Sequence, residues 1–230
     1  MQTRKKSIEA LLARADEDLK KIEAEYAKAL TEQTIPDDLR IDIKNLSGNL
    51  RSVLDYLARD IRETHCPAAK AKDIFYFPIL SDAVTFGKKM ATWYPGLETT
   101  ERTLWDYLES IQPYHASTIW LSQFNRLNNE NKHDDLVAQT RTEIKEVRVD
   151  TPGGRVSWNP GAVKFGPGVS IGGVPIDPRT QMPMPHPSQQ VSQIIWVDFR
   201  FDGIDVSAIA LLRASLVGVK NLVADIYAWL

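Results

Sequence analysis

The sequence predicts an α+β fold: a predominantly α-helical bundle of four long helices or more, with a small antiparallel β-meander inserted before a C-terminal helix. Three observations predict this class. Apolar residues recur at intervals of three and four through most of residues 1–142, and they alternate with polar residues in several stretches of 143–203. In 204–230 they cover most of a helix circumference, so we expect this last helix to pack on the bundle or on the meander.

Two long amphipathic helices are predicted first. One apolar stripe runs over Ile8–Leu30 and a second over Ile43–Ile61, and the helix-breaking Pro36 lies between them. Asp37 or Asp38 is placed to cap the second helix. The narrow first stripe favours packing in a bundle over a dimer-forming coiled coil, because short coiled coils are weak.

An irregular connection and two more helices are predicted in the middle of the chain. Residues 67–98 are rich in proline, glycine and aromatic residues, which is typical of a packed connection, with one short helix at Val84–Thr92. Thr99 or Thr100 is expected to cap the next helix. A longer helix begins after Ser117.

The β-rich part is predicted from alternating stretches separated by glycine pairs. The proline-rich run Pro178–Pro187 is expected to be an exposed loop. The final helix is expected at Asp205–Trp229. The predicted strands are Glu143–Val149, Arg155–Trp158, Ala162–Phe165, Val169–Val174 and Val191–Phe201.

Composition narrows the classes of function. The formal net charge is −2, so no global field attracts a polyanion, and RNA would have to bind a local patch.

The single cysteine, Cys66, excludes an internal disulfide; we expect an inert thiol and a cytoplasmic location. CxxC and HxxxH spacings and nucleotide-binding glycine motifs are absent from the sequence, so no metal and no cofactor are expected. Charged residues interrupt Val206–Leu230, which predicts a buried helix and no membrane association.

The most polar stretch within a predicted helix is the candidate site. Its arginine could hold a phosphate and its histidine could transfer a proton, which together suffice for metal-free cleavage of RNA by its own 2′-hydroxyl. On sequence alone, a solvated helix face is the commoner explanation of such a stripe. The stripe comprises Ser122, Arg126, Asn129, Glu130 and His133. The core side of the same helix is expected at Trp120, Phe124 and Leu127.

Four short motifs resemble a group of uncharacterised bacterial helical proteins. They are Asn49–Leu57 (NLRSVLDYL), Phe77–Ile79 (FPI), Ile111–His115 (IQPYH) and Asn129–His133 (NENKH). The spacing Arg126-x6-His133 is also similar to the Arg-x(4 to 6)-His signature of the HEPN superfamily. The resemblance covers about residues 1–142.

That resemblance implies a helical bundle, often dimeric, in which the arginine and histidine of two protomers face each other in a cleft. Such a cleft can act as a metal-independent endoribonuclease, here of toxin or defence type. Arg126 would hold the phosphate and His133 would transfer the proton. Asn129, Lys132 and Asp55 are the expected substrate-binding residues. Arg126 is followed by an apolar residue where the superfamily often has a polar one, and many members are thought to bind RNA without cutting it.

Two other Arg/His spacings compete with this one. Arg59-x5-His65 lies on the second helix, and Arg179-x6-His186 lies in the proline-rich loop. We prefer Arg126/His133, because a seven-residue step returns to the same helix face, whereas the six-residue step from Arg59 rotates about 240° away.

Asp55 has two interpretations. If the second and fourth long helices are neighbours, Asp55 could orient His133 or pair with Arg126. The commoner alternative is an ion pair with Arg51 at i,i+4 on its own helix. The competing function is a non-catalytic helical scaffold or protein-interaction module, whose meander and Pro178–Pro187 loop contact a protein partner.

Overall fold

The computed structural model describes the backbone of residues 4–32, 35–115, 118–133, 139–201 and 206–230. Side chains are described within these ranges except at 30–32, 130–133, 139–145, 193–197 and 199. Seven helices lie in this part of the chain. They are α1 (Lys5–Glu32), α2 (Asp37–His65), α3 (Ala83–Trp93), α4 (Leu97–Thr100), α5 (Arg102–Ser110), α6 (Ile119–His133) and α7 (Ala208–Ile226).

Between α6 and α7, the described residues form seven strands. They are β1 (Gln139–Thr151), β2 (Gly154–Trp158), β3 (Ser170–Ile171), β4 (Val174–Asp177), β5 (Met182–Pro183), β6 (Gln190–Phe201) and β7 (Val206–Ser207). Helices dominate, the sheets are small and the last helix follows the strands, so the predicted α+β class is confirmed.

The chain divides into two compact units. The helical unit comprises Met1–Thr140 and Arg200–Leu230, and the β unit comprises Arg141–Phe199. The helical unit is therefore discontinuous in sequence, because α7 returns to it after the β unit.

Helix α2 lies at the centre of the helical unit. It packs against α1, α6 and α7, and α7 also contacts α1 and α6. The apolar residues that recur at intervals of three and four along α2, including Leu46, Leu50, Leu54 and Leu57, are fully buried, and each contributes about 2 kcal/mol of hydrophobic stabilisation. Among the described residues, no helix is both long enough and apolar enough to cross a bilayer.

The expected side-chain caps of two helices are wrong. Pro36 is the N-cap of α2, in an extended conformation and without a side-chain cap. Asp37 and Asp38 lie instead in the first turn, where their carboxylates still interact favourably with the helix dipole. Thr99 and Thr100 lie inside the short helix α4, so neither caps α5.

The β unit contains two small sheets. In one, β1 lies between β2 and β6; in the other, β4 lies between β3 and β5. The β1–β2, β3–β4 and β4–β5 pairs are antiparallel. A small apolar core holds this unit together, and within it the rings of Trp158 and Phe165 meet edge to face with their centroids 5.1 Å apart.

Two predicted strands and the predicted loop differ from the structure. Val169–Val174 is a hairpin, because Gly172 and Gly173 both have positive φ, 54° and 82°, as a tight two-residue turn requires. Ala162–Phe165 is not a strand; the backbone N–H and C=O of its last residue hydrogen-bond to the Gln181 side chain. The run Pro178–Pro187 includes the short strand β5.

A buried carboxylate joins three parts of the helical unit. Asp60, on α2, has a side chain that is only 2% exposed. It accepts hydrogen bonds from the backbone N–H of Arg4 (3.0 Å), from Nη1 of Arg4 (2.6 Å) and from the hydroxyl of Tyr227 (2.8 Å). Burial and the adjacent Asp60 carboxylate both raise the pKa of Tyr227, so its hydroxyl remains a donor at physiological pH. The start of α1 and the end of α7 therefore meet on α2.

A buried guanidinium organises the connection between α2 and α3. Arg62 donates hydrogen bonds to the carbonyl oxygens of Trp93 and Lys70 and to Oδ2 of Asp73. The same guanidinium lies 4.2 Å from the centroid of the Phe75 ring. The connection is thus packed around a charged side chain.

A close contact joins α6 to α7. A Cβ atom added at Gly218 would lie 2.5 Å from Cε2 and from Cη2 of Trp120, which is shorter than any real contact of a Cβ atom. Glycine is therefore required here by the approach of an aromatic ring, and helix propensity is not the reason.

We expect Asp60→Ala to lower the free energy of unfolding by about 2–4 kcal/mol, because it leaves the Arg4 guanidinium and the Tyr227 hydroxyl without their shared acceptor. The matched control is Glu63→Ala, which removes the more exposed partner of Arg4 and should cost less than about 1 kcal/mol. Urea unfolding measures both variants. Equal costs would show that Asp60 is not the acceptor on which this junction depends.

We expect Gly218→Ala to destabilise the chain by about 1–3 kcal/mol through overpacking against Trp120. At Gly87, in α3, an added Cβ meets nothing within 4 Å, so Gly87→Ala should instead stabilise the chain by about 0.5–1 kcal/mol. Thermal and urea unfolding of the two variants show whether each substitution lowers or raises the free energy of unfolding. A stabilising Gly218→Ala would contradict the tight contact.

Candidate functional site

Helix α6 supplies most of the candidate site. Leu121, Phe124 and Leu127 are fully buried, so its core side anchors the helix on the bundle. Arg126 and Asn129 are exposed. The amphipathic spacing read from the sequence therefore separates Arg126 and Asn129 from the core residues Phe124 and Leu127, whereas Trp120, also expected in the core, is half-buried.

Three residues of the polar stripe, Ser122, Arg126 and Asn129, line a surface groove of about 290 Å³, here called the α6 groove. Its lining residues are Ser122, Asn125, Arg126 and Asn129 of α6, together with Ile79, Leu80, Ser81 and Pro113. Arg126 is the one charged residue among these described lining residues. The groove thus combines one cation, two amides and two hydroxyls with an apolar wall.

A buried glutamine builds the opposite wall of the α6 groove. Nε2 of Gln112 donates hydrogen bonds to the carbonyl oxygens of Pro78 (3.1 Å) and Leu108 (2.6 Å), and its Oε1 accepts one from the backbone N–H of Leu80 (2.9 Å). These bonds hold the extended segment 78–80 against the end of α5. This role was not predicted from the sequence, although Gln112 lies inside the IQPYH motif.

His133, Lys132 and Glu130 belong to the predicted site, and their side chains lie outside the described residues. The backbone of α6 is helical from Ile119 to His133. Arg126 and His133 are therefore separated by just under two turns of a single helix.

Asp55 pairs with the arginine of its own helix. Oδ1 of Asp55 lies 3.3 Å from Nε of Arg51, which is the i,i+4 arrangement of the alternative interpretation. Nη1 of Arg51 also donates a hydrogen bond to Oδ1 of Asn125, at 3.1 Å. Arg51 is thus a polar link between α2 and α6, and it reaches a residue of the α6 groove. No pattern in the sequence distinguishes Asn125 from its neighbours on α6.

The competing pair Arg59/His65 is divided between two different surroundings. The Arg59 guanidinium lies 5.9 Å from the centroid of the Phe75 ring. Nε2 of His65 lies 2.9 Å from the carbonyl oxygen of Trp229, near the end of the chain. This separation agrees with the helical rotation that argued against the pair.

A histidine beside the α6 groove is held by a carboxylate. Nε2 of His115 lies 3.3 Å from Oε1 of Glu109, and the Tyr114 hydroxyl donates to the same oxygen at 2.8 Å. Burial, followed by the hydrogen bond to Glu109, raises the pKa of Tyr114, so the phenol keeps its proton. In the sequence, His115 stands out only as the last residue of the IQPYH motif.

The chemistry available at the α6 groove is that of anion binding and hydrogen bonding. A guanidinium forms paired hydrogen bonds to phosphate, and amides both donate and accept. In the described part of the chain, no three His, Cys, Asp or Glu side chains are grouped so that they could hold a metal ion. Comparisons with models of protein families, with curated proteins and with solved structures found no match to this chain.

Cys66 lies away from the α6 groove and is almost fully buried. Burial raises the pKa of its thiol to about 11, and the nearby Arg62 charge opposes this only in part. Because the thiolate is the reactive form, the folded protein presents a poor nucleophile at neutral pH.

We expect the Cys66 thiol to resist modification by a disulfide reagent at pH 8, where only about one thiol in a thousand is ionised, and to react at the ordinary rate in denaturing urea. The release of thionitrobenzoate measures both reactions, and Cys66→Ala provides the blank. Rapid labelling of the folded protein would contradict both the burial and the raised pKa.

Proposed function

We propose that the protein binds RNA in the α6 groove and cleaves it without a metal ion, as the HEPN resemblance implies. One observation supports this proposal above all: Arg126, Asn129 and Ser122 line one groove whose only charged described lining residue is Arg126. A guanidinium can form paired hydrogen bonds to a phosphate, and the amide and hydroxyl beside it suit a sugar or a base.

In the proposed reaction the RNA supplies its own nucleophile. His133 accepts the proton of a 2′-hydroxyl, whose oxygen attacks the adjacent phosphorus as the bond from phosphorus to the 5′-oxygen breaks. An imidazolium returns a proton to that 5′-oxygen. Arg126 stabilises the charge that develops on the phosphate. The products are a 2′,3′-cyclic phosphate and a free 5′-hydroxyl.

The remaining predicted residues have supporting roles in this proposal. Asn129 binds the strand beside Arg126, and Lys132 contacts a neighbouring phosphate. Asp55 acts through Arg51, which contacts both Asp55 and Asn125. A homodimer would supply two histidines, one as base and one as acid. We further propose a cytoplasmic protein of toxin or defence type, since RNA and a reduced cysteine both fit that compartment.

A second candidate function, a non-catalytic protein-interaction module, is supported by the β unit. Apolar residues around its proline-rich loop line a groove of about 600 Å³, and Met184 in that loop is 53% exposed. Exposed proline and methionine side chains suit a protein partner. In this alternative the polar stripe of α6 is only a solvated helix face.

We expect the purified protein to cut a mixed RNA pool in the presence of EDTA. Arg126→Ala and His133→Ala should each lower the cleavage rate by about 10²–10⁴-fold, because each removes a group used in the transition state. The matched control is Arg59→Ala, which changes the competing Arg/His pair and should leave the rate unchanged. Gel analysis and end-group mapping for 2′,3′-cyclic phosphate measure the reaction.

The two candidate functions predict different results. Cleavage that both variants lose and that Arg59→Ala keeps supports the nuclease. If RNA is neither cut nor bound, or is cut equally well by Arg126→Ala and His133→Ala, the nuclease proposal fails and the interaction module remains.

A further inference from the structure

A second groove lies on the surface shared by α1 and α2, and one residue of α6 completes it. This polar groove has a volume of about 560 Å³, within the range of small-molecule sites. Three asparagines line it: Asn45 and Asn49 on α2 and Asn128 on α6. Arg14, on α1, and Lys44, on α2, add two cations to the lining.

The amides of this groove have hydrogen-bonding capacity to spare. Asn45 and Asn49 make no hydrogen bond through their side chains to any other described residue. Asn128 is only 4% exposed, and Nδ2 donates to the carbonyl oxygen of Phe124 at 2.9 Å, which leaves Oδ1 as an acceptor. These side chains therefore keep donors and acceptors that are accessible to solvent. A ligand in the groove would use them.

Two carboxylates also line the polar groove, and each has a cationic partner. Oδ1 of Asp18 lies 2.8 Å from Nε of Arg14, and Oδ2 of Asp42 lies 2.8 Å from Nζ of Lys21. Their charges are therefore compensated. Because the Arg14 charge is already matched by Asp18, Lys44 is the lining cation that has no ion pair with a described residue, and Arg14 can add only its remaining N–H donors to an anion that Lys44 holds. The free lone pairs of the two carboxylates remain able to accept hydrogen bonds from an amino group.

This chemistry matches a nucleotide. Carboxamides pair with the edge of a nucleobase through a donor and an acceptor, carboxylates accept from exocyclic amino groups, and the two cations suit a phosphate. The described lining residues include no aromatic ring, so recognition would use the edge of the base and not stacking. Bases with an exocyclic amino group should therefore bind more tightly than uracil.

We infer that the polar groove binds one nucleotide, with Asn45, Asn49 and Asn128 reading the base edge and Arg14 and Lys44 holding the phosphate. The inference deepens the proposed function, on which it rests for the choice of a nucleotide as ligand. The nucleotide is either a free mononucleotide or one residue of a single RNA strand, and the two sources share this chemistry.

Gly48 provides a way to block the groove without disturbing the fold. It lies in α2 on the groove lining, and a Cβ added there meets nothing within 4 Å. Gly87 is the matched control, since it is also an exposed helical glycine with open space around it. Leucine forms helix better than glycine, so neither Gly48→Leu nor Gly87→Leu should lower the melting temperature.

The test measures binding of AMP and UMP by calorimetry, and of single-stranded oligoadenylate and oligouridylate by fluorescence anisotropy, to the full chain. We expect AMP to bind more tightly than UMP, Gly48→Leu to weaken AMP binding by about tenfold or more, and Gly87→Leu to leave it unchanged. If only the oligoadenylate shows this dependence on Gly48, RNA is the source of the nucleotide.

The inference is overturned if Gly48→Leu binds every probe as the wild type does, or if the wild type binds none of them. The Arg126→Ala variant shows whether a negative result concerns this inference or the proposed function. RNA cleavage that depends on Arg126 and is indifferent to Gly48→Leu, with no AMP binding, removes the nucleotide site and keeps the nuclease. If AMP binding depends on Gly48 and RNA cleavage is unchanged in Arg126→Ala, the nucleotide site is supported and the nuclease proposal fails.

Discussion

The burial of the Asp60 carboxylate is the constraint on which the helical unit depends. An ionised carboxyl group is costly to bury unless donors satisfy its oxygens, and Asp60 finds three of them on Arg4 and Tyr227. Those donors come from the start of α1 and from just beyond the end of α7, so the two helices meet α2 at a fixed point.

Helix α6 connects the two candidate sites. Arg126 and Asn129 lie on one flank, in the α6 groove, and Asn128 lies on the other flank, in the polar groove. Neighbouring residues on a helix point about 100° apart, so one short helix can present different side chains to two surfaces. If one RNA strand uses both, α6 is the ridge that it crosses, with the cleaved phosphate on one side and a selected base on the other.

Periodicity predicted most of the fold, because stripes at intervals of three and four are a direct consequence of helix geometry. It predicted α1, α2 and α6 and the grouping of Arg126 with Asn129. It could not predict Asp60 and Arg62 as buried charges, since their partners are remote in sequence or are backbone groups of a connection. The polar groove could not be predicted for the same reason: Asn45 and Asn49 lie on α2, but only the packing of α6 brings Asn128 beside them. Residues Ala162–Phe165 alternate between apolar and polar like a strand, but the backbone of Phe165 hydrogen-bonds to the Gln181 side chain and not to a neighbouring strand.

The return of α7 to the helical unit has a consequence for biosynthesis. The ribosome delivers α1, α2 and α6 first, then the whole β unit, and only afterwards the helix that covers their remaining apolar faces. Until α7 is synthesised, the bundle lacks the helix that packs on α1, α2 and α6, so the partly made bundle exposes apolar surface while synthesis continues. Such an intermediate is a natural substrate for chaperones, and the β unit has time to fold by itself before the bundle closes.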